Sequence, residues 1–407
     1  MNNRGTDLLS HSNLRVAIIH YWYVKRRGGE RVLEVLAEMF PQADIFILVH
    51  DPTTLAGPMK GRRVIPSFLQ KLPQVKRYYR SLLPLFPLAL EQLKLGDYDL
   101  VISHEAGPAK GVITRASTCH ICYCHTPMRF LWDMYQDYVD HAPLGVVGRV
   151  MYSLASHYVR QWDFASAARV DHFAASSENA ARRIRKYYGR SSEVIYPPVD
   201  VGTFSVADSH DDFYLVVSPL VAYKRVDLAI KACNELGRRL IVIGEGPEKD
   251  ALHKISGPTV SFLGFQPGEV VHEHYRRCRA FLFPGEEDIG LTPIEAQASG
   301  RPVIAFGRGG ALETVVGALP GANDPELSTG LFFGEPTQKS LAEAILRFET
   351  IENSFSPHFI HAHVQQFDKR GFVTKMSAFV AEKLEEHRAL MEAPSQSYSL
   401  TASRVNS

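Results

Sequence analysis

The chain has 407 residues, 45% of them hydrophobic and 22% charged, with 29 Gly, 24 Pro and 5 Cys. That length is about twice one ordinary domain, so two domains of roughly 200 residues are expected, each able to bury a core without disulfide or metal staples. The 45 basic residues nearly cancel the 44 acidic ones, which argues against a dedicated nucleic-acid binder, and five cysteines exclude a disulfide scaffold and suit a reducing compartment.

Residues 1–13 are polar, lack the apolar core of a signal peptide, and read as a flexible start. From Leu14 onward, short β-rich runs alternate with helical patterns, the mark of α/β domains with largely parallel sheets. Leu14 to His20 and Ala43 to His50 read as strands flanking a helix over Glu30 to Phe40. Lys60 to Arg80 then holds seven basic residues, among them Arg62, Arg63, Lys76 and Arg77, with aromatic residues interleaved and no acidic one. Such a stretch suits anionic lipid headgroups, a solvated face around an irregular insertion or, third, single-stranded nucleic acid. Leu82 to Leu90 is the longest apolar run, half of what a bilayer span needs, and is broken by Pro84 and Pro87. A soluble, cytoplasmic protein is the expectation.

Leu100 to Ser103, Cys119 to Cys124 and, after a long helical stretch, Asp171 to Ala175 continue the strands. Cys119, Cys122 and Cys124 between His120 and His125 invite a metal. On a strand, however, Cys119 and Cys122 point to opposite faces and no second paired cluster exists, so a structural strand is favoured. Asp97-Tyr98-Asp99 precedes a strand and reads as its solvated entry. Tyr196-Pro197-Pro198-Val199 cannot continue a helix and marks a stiff crossover. The expected division is a first domain over 14–200, a second over 201–371, a C-terminal helix over 372–393 packing back on the first, and a disordered Ser-rich tail over 394–407.

The second half alternates most cleanly. Strands are expected over Phe213 to Ser218, Arg239 to Gly244, Val260 to Phe265, Ala280 to Pro284 and Pro302 to Phe306, with helices over Val226 to Leu236, Glu248 to Ile255, Glu269 to Cys278 and Pro293 to Ser299. Two such domains form a cleft, and ligands bind doubly wound sheets at the carboxyl ends of their strands. The turns that follow strands are therefore the candidate sites. Gly28-Gly29-Glu30 opens a helix and serves either as a flexible cap or as an anion site at a helix amino end. Gly244-Glu245-Gly246 begins a dinucleotide fingerprint but lacks its third glycine. Lys224 and Arg225 form a solvated basic turn or neutralise a diphosphate. Pro284 to Gly300 carries Glu286, Glu287, Asp288 and Gly290, then a helix. Thr292-Pro293-Ile294-Glu295 reads as a capping box, so Glu295 has a structural explanation beside a functional one, a carboxylate for a ribose diol. His125 emerges at a strand end, where this architecture places ligands.

Together these elements resemble glycosyltransferase family 4, the retaining nucleotide-sugar transferases of the GT-B fold, with two doubly wound Rossmann-like domains facing a cleft. The resemblance runs from about Arg15 to about Phe372. Its strongest element is Glu287 and Glu295 followed by ASGRPVIA and Gly309-Gly310-Ala311-Leu312-Glu313-Thr314-Val315. RGGE at 27–30, YKRVDLAI at 223–230, IGEGPE at 243–248 and FLGF at 262–265 support it, and YCHTPMRFLWDMY at 123–135 and VIYPPVD at 194–200 are similar to bacterial mannosyltransferases of O-antigen and exopolysaccharide synthesis. The resemblance implies that Glu287 contacts the donor sugar, Glu295 the ribose and Lys224 the diphosphate, with Arg225 beside it. It implies that amides of Gly28, Gly29, Gly290 and Leu291 meet phosphate or sugar, that Gly264, Phe265 and Gln266 line the base, and that His125 lies near the reacting carbon. One departure is Pro219, where the family usually carries arginine; Arg225 or Arg27 would compensate.

The function so implied is transfer of a hexosyl unit, mannose from GDP-mannose foremost, to a lipid-linked saccharide in cell-surface polysaccharide synthesis, with retained configuration. No metal or other cofactor is implied, since Lys224, Arg225, glycine amides and helix amino ends would meet the departing diphosphate. The implied partners are the nucleotide sugar, the lipid-linked acceptor and an anionic membrane surface, with no nucleic acid, which sets the protein peripherally on the cytoplasmic face of the inner membrane. Rival readings are a nucleotide-sugar epimerase or phosphorylase of the same fold, which an incubation with donor alone separates, and a non-catalytic partner subunit.

Overall fold

A computed structural model describes residues 14–26, 28–104, 107–141, 145–318 and 325–392. The expectations for 1–13, for Arg27 and for the tail at 394–407 lie outside the described residues. In the first domain, β1 (Val16–Tyr23), β2 (Asp44–His50), β3 (Val64–Pro66), β4 (Leu100–His104), β5 (Cys119–Cys124), β6 (His172–Ala175) and β7 (Glu193–Val194) form one sheet in the order 3-2-1-4-5-6-7. Every pairing is parallel. Parallel sheets are covered on both faces, so their strands read as apolar runs, and β4 and β5 are buried at every position. Among the crossovers are α1 (Gly28–Met39), α2 (Val146–Ala167) and α3 (Glu178–Tyr188).

The second domain repeats the plan with β8 (Tyr214–Val217), β9 (Leu240–Ile243), β10 (Val260–Gly264), β11 (Ala280–Phe283), β12 (Val303–Phe306) and β13 (Gly330–Phe333) in the order 10-9-8-11-12-13. Its helices include α4 (Val226–Leu236), α5 (Gly268–Arg277) and α6 (Leu291–Ala298). Strand order reverses between β1 and β4 in one sheet and between β8 and β11 in the other, which sets two topological switch points facing the cleft. The expected strands and helices lie within a few residues of the observed ones. β3, inside the basic stretch read as irregular, is a three-residue edge strand ending in Pro66, too short for any periodicity to show.

After the second sheet the chain returns. Val199 and Asp368 form a parallel bridge, and α7 (Lys369–Glu392) runs back across the first domain. Phe372, Met376, Phe379, Val380 and Leu384 of α7 are buried with Val32 and Leu36 of α1 and Val16 and Ile18 of β1. Lys369 Nζ meets Glu38 Oε2 at 2.5 Å. On the other side of that sheet, a fully buried ion pair joins Lys110 to Asp163 of α2. Trp132 Nε1 and Tyr188 Oη donate to the same carboxylate at 2.8 and 2.9 Å, which satisfies a charge that would otherwise be costly to bury.

If α7 is part of the first core, Phe379→Ala should lower the stability of the first domain by about 3–5 kcal/mol in urea unfolding. Leu346→Ala, at a side chain 45% exposed, should change stability by less than about 0.5 kcal/mol. Equal small effects would detach the helix from the core.

Candidate functional site

The carboxyl ends of both sheets meet in the cleft, where the amino end of α1 faces the amino end of α6. A Cβ placed on Gly28 would sit 3.0 Å from Leu291 Cδ1. Two adjoining cavities of about 330 and 1160 Å³ lie here and share Arg129, Met134, Tyr138 and Tyr223. Gly28, Gly29, His125, Glu287, Gly290 and Leu291 line the smaller. Amino ends of helices present unpaired N–H groups and partial positive charge, so two of them facing one cavity favour an anion.

Lys224 and Glu287 are ion-paired and largely buried, with the ammonium 5.3 Å from the centre of the Tyr223 ring. Burial, the largest single effect, lowers the Lys224 pKa, but the Glu287 charge and hydrogen bond together with Tyr223 outweigh it and raise it, so the cation is held charged. The acidic turn bearing Glu287 is clasped by its own domain. Gly310 N donates to Glu287 O at 2.8 Å, and a Cβ on the left-handed Gly309 (φ 62°) would come within 2.4 Å of that oxygen.

The capping box does not form. α6 starts at Leu291, because Gly290 at φ 73° turns the chain into the helix two residues earlier than Thr292 could cap it. Glu295 therefore caps nothing. Arg31 Nη1 of α1 donates to Glu295 Oε1 at 2.7 Å and Tyr275 Oη donates to Oε2 at 3.0 Å, from opposite domains. Arg225 takes a left-handed backbone before α4 and its guanidinium pairs with Asp227 at 3.1 Å, although it also lines the larger cavity. Gly264, Phe265 and Gln266 line neither cavity, and Phe265 is 79% exposed.

Several contacts of the site were not assigned from the sequence, although Arg129 and Glu313 lie in the family-like motifs at 123–135 and 309–315. The Arg129 guanidinium lines both cavities, and its Nη1 donates to Glu286 O at 2.9 Å. Arg183 pairs with Asp288 across the cleft and with Asp133 at 2.7 Å. The Glu313 carboxylate accepts from the amides of Glu178 and Asn179 at 2.7 and 2.8 Å, so a second-domain side chain caps the first-domain helix α3. Asp288 is enclosed by these contacts; burial pushes its carboxyl up while Arg183 opposes the shift.

Part of the basic stretch is engaged. Arg62 donates to the Ala37, Phe40 and Pro41 carbonyls and so caps the carboxyl end of α1. Lys76 pairs with Asp51 at 2.9 Å, Arg63 approaches Asp44 at 3.9 Å, and Arg77 donates to Gln74 at 2.9 Å. Among the described residues, Cys119, Asp171 and His387 offer metal-ligating atoms within 4.8 Å of one another, at the amino ends of β5 and β6, the end of the sheet away from the cleft.

His125 ends a chain of buried imidazoles. His104 Nε2 lies 2.9 Å from His125 Nε2, and His104 Nδ1 lies 3.2 Å from His20 Nδ1. Burial holds His20 down to about 3, His125 and the separate His120 to about 4, and His104 well below the usual range. These rings are neutral in the folded protein, while in the unfolded chain they protonate below about pH 6.5. The unfolded state then binds more protons, so stability should fall progressively from pH 6.5 toward pH 4. Urea midpoints recorded at half-unit pH steps would show it, and a flat profile over that window would contradict the neutral assignment.

Two family models match the chain, Glycosyltransferase Family 4 over residues 26–203 and Glycosyl transferases group 1 over residues 204–361. The alpha-1,3/1,6-mannosyltransferase ALG2 of Saccharomyces cerevisiae is 23% identical over 306 residues, which cover 62% of this chain and 59% of that protein. A GDP-mannose-dependent alpha-(1-6)-phosphatidylinositol monomannoside mannosyltransferase of Mycolicibacterium smegmatis is 32% identical over 26% of this chain and 32% of its own length. A glycogen synthase of Acidiphilium cryptum is 32% identical over 32% of this chain and 29% of its own. The chain thus spans less than two thirds of each of these relatives. Among solved structures, Anabaena HepE in complex with UDP superposes with a TM-score of 0.65 at 16% identity, covering 91% of this chain and 100% of that one. Sucrose-phosphate synthase from Thermosynechococcus elongatus gives 0.68 at 17% identity, covering 92% and 100%. With both halves matched and the whole architecture shared, the chain belongs to the group 1 glycosyltransferases of family 4 and has the two-domain GT-B fold.

Proposed function

We propose that the protein is a retaining glycosyltransferase that moves a hexosyl unit, mannose from GDP-mannose foremost, to a lipid-linked saccharide. The observation that carries this reading is the buried Lys224–Glu287 pair beside a cavity that two helix amino ends face. The mannosyl part rests on the two mannosyltransferase relatives, and the nucleotide-sugar part gains support from the HepE complex with UDP.

In the free protein Glu287 neutralises Lys224. An arriving diphosphate replaces that carboxylate on the ammonium, which releases Glu287 to accept hydrogen bonds from sugar hydroxyls. As the bond from the anomeric carbon to the diphosphate breaks, the growing negative charge meets Lys224 and the amides of Gly28, Gly29, Gly290 and Leu291. Arg129, which lines both cavities, supplies the second cation that Pro219 does not. The acceptor oxygen bonds to the anomeric carbon from the same face, and its proton passes to the departing diphosphate. Neutral His125 beside the sugar suits this chemistry, because an imidazolium would oppose the positive charge developing on the ring. Glu295 receives the ribose hydroxyls and gives up one of its present donors to do so.

With Glu287→Gln, turnover should fall about 100-fold while GDP affinity does not weaken, because the lost interaction is made to the reacting sugar. With Glu295→Gln, GDP affinity should fall roughly 10- to 150-fold, the worth of a charge-assisted bond of about 1.5–3 kcal/mol. Wild-type values for both variants, from one titration and one rate each, would remove the basis of the reading. Because protein groups supply the positive charge, turnover in excess EDTA should stay within about twofold of turnover with magnesium. A saturable metal requirement would contradict that assignment.

A further inference from the structure

The inner face of α2 is committed to the first domain. Ser156, Val159, Asp163, Ser166 and Ala167 are buried, and Asp163 carries the Lys110 pair. Its outer face is open and mostly apolar, with His157 and Gln161 as the polar residues on it. Val146, Val147, Val150, Met151, Leu154 and Tyr158 are each between 52% and 82% exposed. At 100° per residue these six fall within one arc of about 140°, opposite the buried positions. Single exposed apolar residues are ordinary on a protein surface, but a contiguous stripe on one helix marks a contact surface.

Charge selects the occupant. From residue 146 to residue 162 the helix carries no Asp or Glu and two arginines, the exposed Arg149 and Arg160, whose guanidinium donates to Leu131 O and lies over the Trp132 and Tyr135 rings. Both arginines fall on the same border of the stripe by the same helical count. A second copy of the chain would bring two Arg149 borders together with no carboxylate on either helix face to answer them, whereas an anionic bilayer meets the apolar stripe and Arg149 at once. No described helix is long and apolar enough to cross a membrane, so an orientation in the plane of the surface is the geometry left to α2.

The helix also adjoins the mouth of the site. Tyr152 stacks on Tyr135 with ring centres 6.2 Å apart, Tyr135 Oη donates to Ser153 Oγ at 3.1 Å, and Tyr138 of the same segment lines both cavities. The neighbouring turn at Tyr79–Leu85 packs against α2 and adds the exposed Leu85.

We propose that the outer face of α2 seats in the surface of an anionic bilayer and turns the cavity mouth toward an acceptor held there. This deepens, and rests on, the lipid-linked acceptor reading. The contact lies on α2 rather than on the four cations Arg62, Arg63, Lys76 and Arg77.

The test is flotation of the full chain, without donor, on vesicles of phosphatidylcholine alone or with about 30% phosphatidylglycerol. Binding is expected to the mixed vesicles only. Combined Val147→Ser, Met151→Ser and Leu154→Ser should reduce it at least tenfold, with the melting curve unchanged because all three side chains are exposed. Arg149→Glu should reduce it several-fold, and Lys76→Ser with Arg77→Ser should leave it within about twofold. Donor hydrolysis by the triple variant should equal the parent's. Failure of parent binding, equal binding by the triple variant, or a dimer in light scattering that the triple variant dissolves would each overturn the proposal. Vesicle binding by a protein that transfers no sugar would instead overturn the transferase reading and leave this one standing.

Discussion

Glu286, Glu287 and Asp288 place three carboxyl groups on consecutive residues at the centre of the cleft, and their mutual repulsion must be answered by cations. Lys224 answers Glu287 from the second domain, Arg183 answers Asp288 and Glu286 from the first, and the Arg129 charge acts on Asp288 while its guanidinium holds the Glu286 carbonyl. The acidic turn is therefore the point where the two domains hold each other. Arg31 to Glu295 and the Glu313 cap on α3 repeat the pattern at its flanks. Apart from Lys224–Glu287, which lies within the second domain, these contacts span the cleft through polar groups, which separate at less cost than an apolar interface because water can replace each partner.

That wiring suits a protein whose ligand is an anion. Under the proposed function a bound diphosphate would compete for the same cations that now hold the acidic turn, so entry of the nucleotide and rearrangement of the domain contacts would be one exchange rather than two events. On the same reading Glu287 would have two roles in sequence, counter-ion to Lys224 in the free protein and sugar ligand in the complex. The apolar joint at α7 works differently. It buries Phe372, Met376 and Phe379 in the first core and gives the crossing at Val199 and Asp368 a fixed anchor about which the polar contacts can change.

Much of this fold was legible because parallel strands buried on both faces read as apolar runs between glycine and proline turns. β1, β2, β4 to β6 and β8 to β12 were found in that way. β3, β7 and β13 were not, since edge strands of three, two and four residues carry no period. Glu287, Lys224, His125 and the paired glycines followed from their place after strands. What stayed hidden was pairing across the cleft. Arg183 and Asp288 are 105 residues apart, and nothing local to either points to the other. The capping box misled for a related reason, since Thr292 to Glu295 satisfies the pattern while the preceding Gly290 starts the helix first. The apolar stripe of α2 is visible in the letters from Val146 to Tyr158, but only the packing shows which face the domain leaves open.

The exchange at Lys224 is the claim on which the rest turns, and comparing GDP with GMP isolates it, since the two differ by one phosphate. Calorimetric titration of both nucleotides into the parent and into Lys224→Gln is the direct measurement. The parent should bind GDP at least tenfold more tightly than GMP, and in the variant that preference should shrink to within about twofold. An unchanged preference in the variant would mean that the diphosphate lies elsewhere and that the Lys224–Glu287 pair is only a structural bridge between two turns.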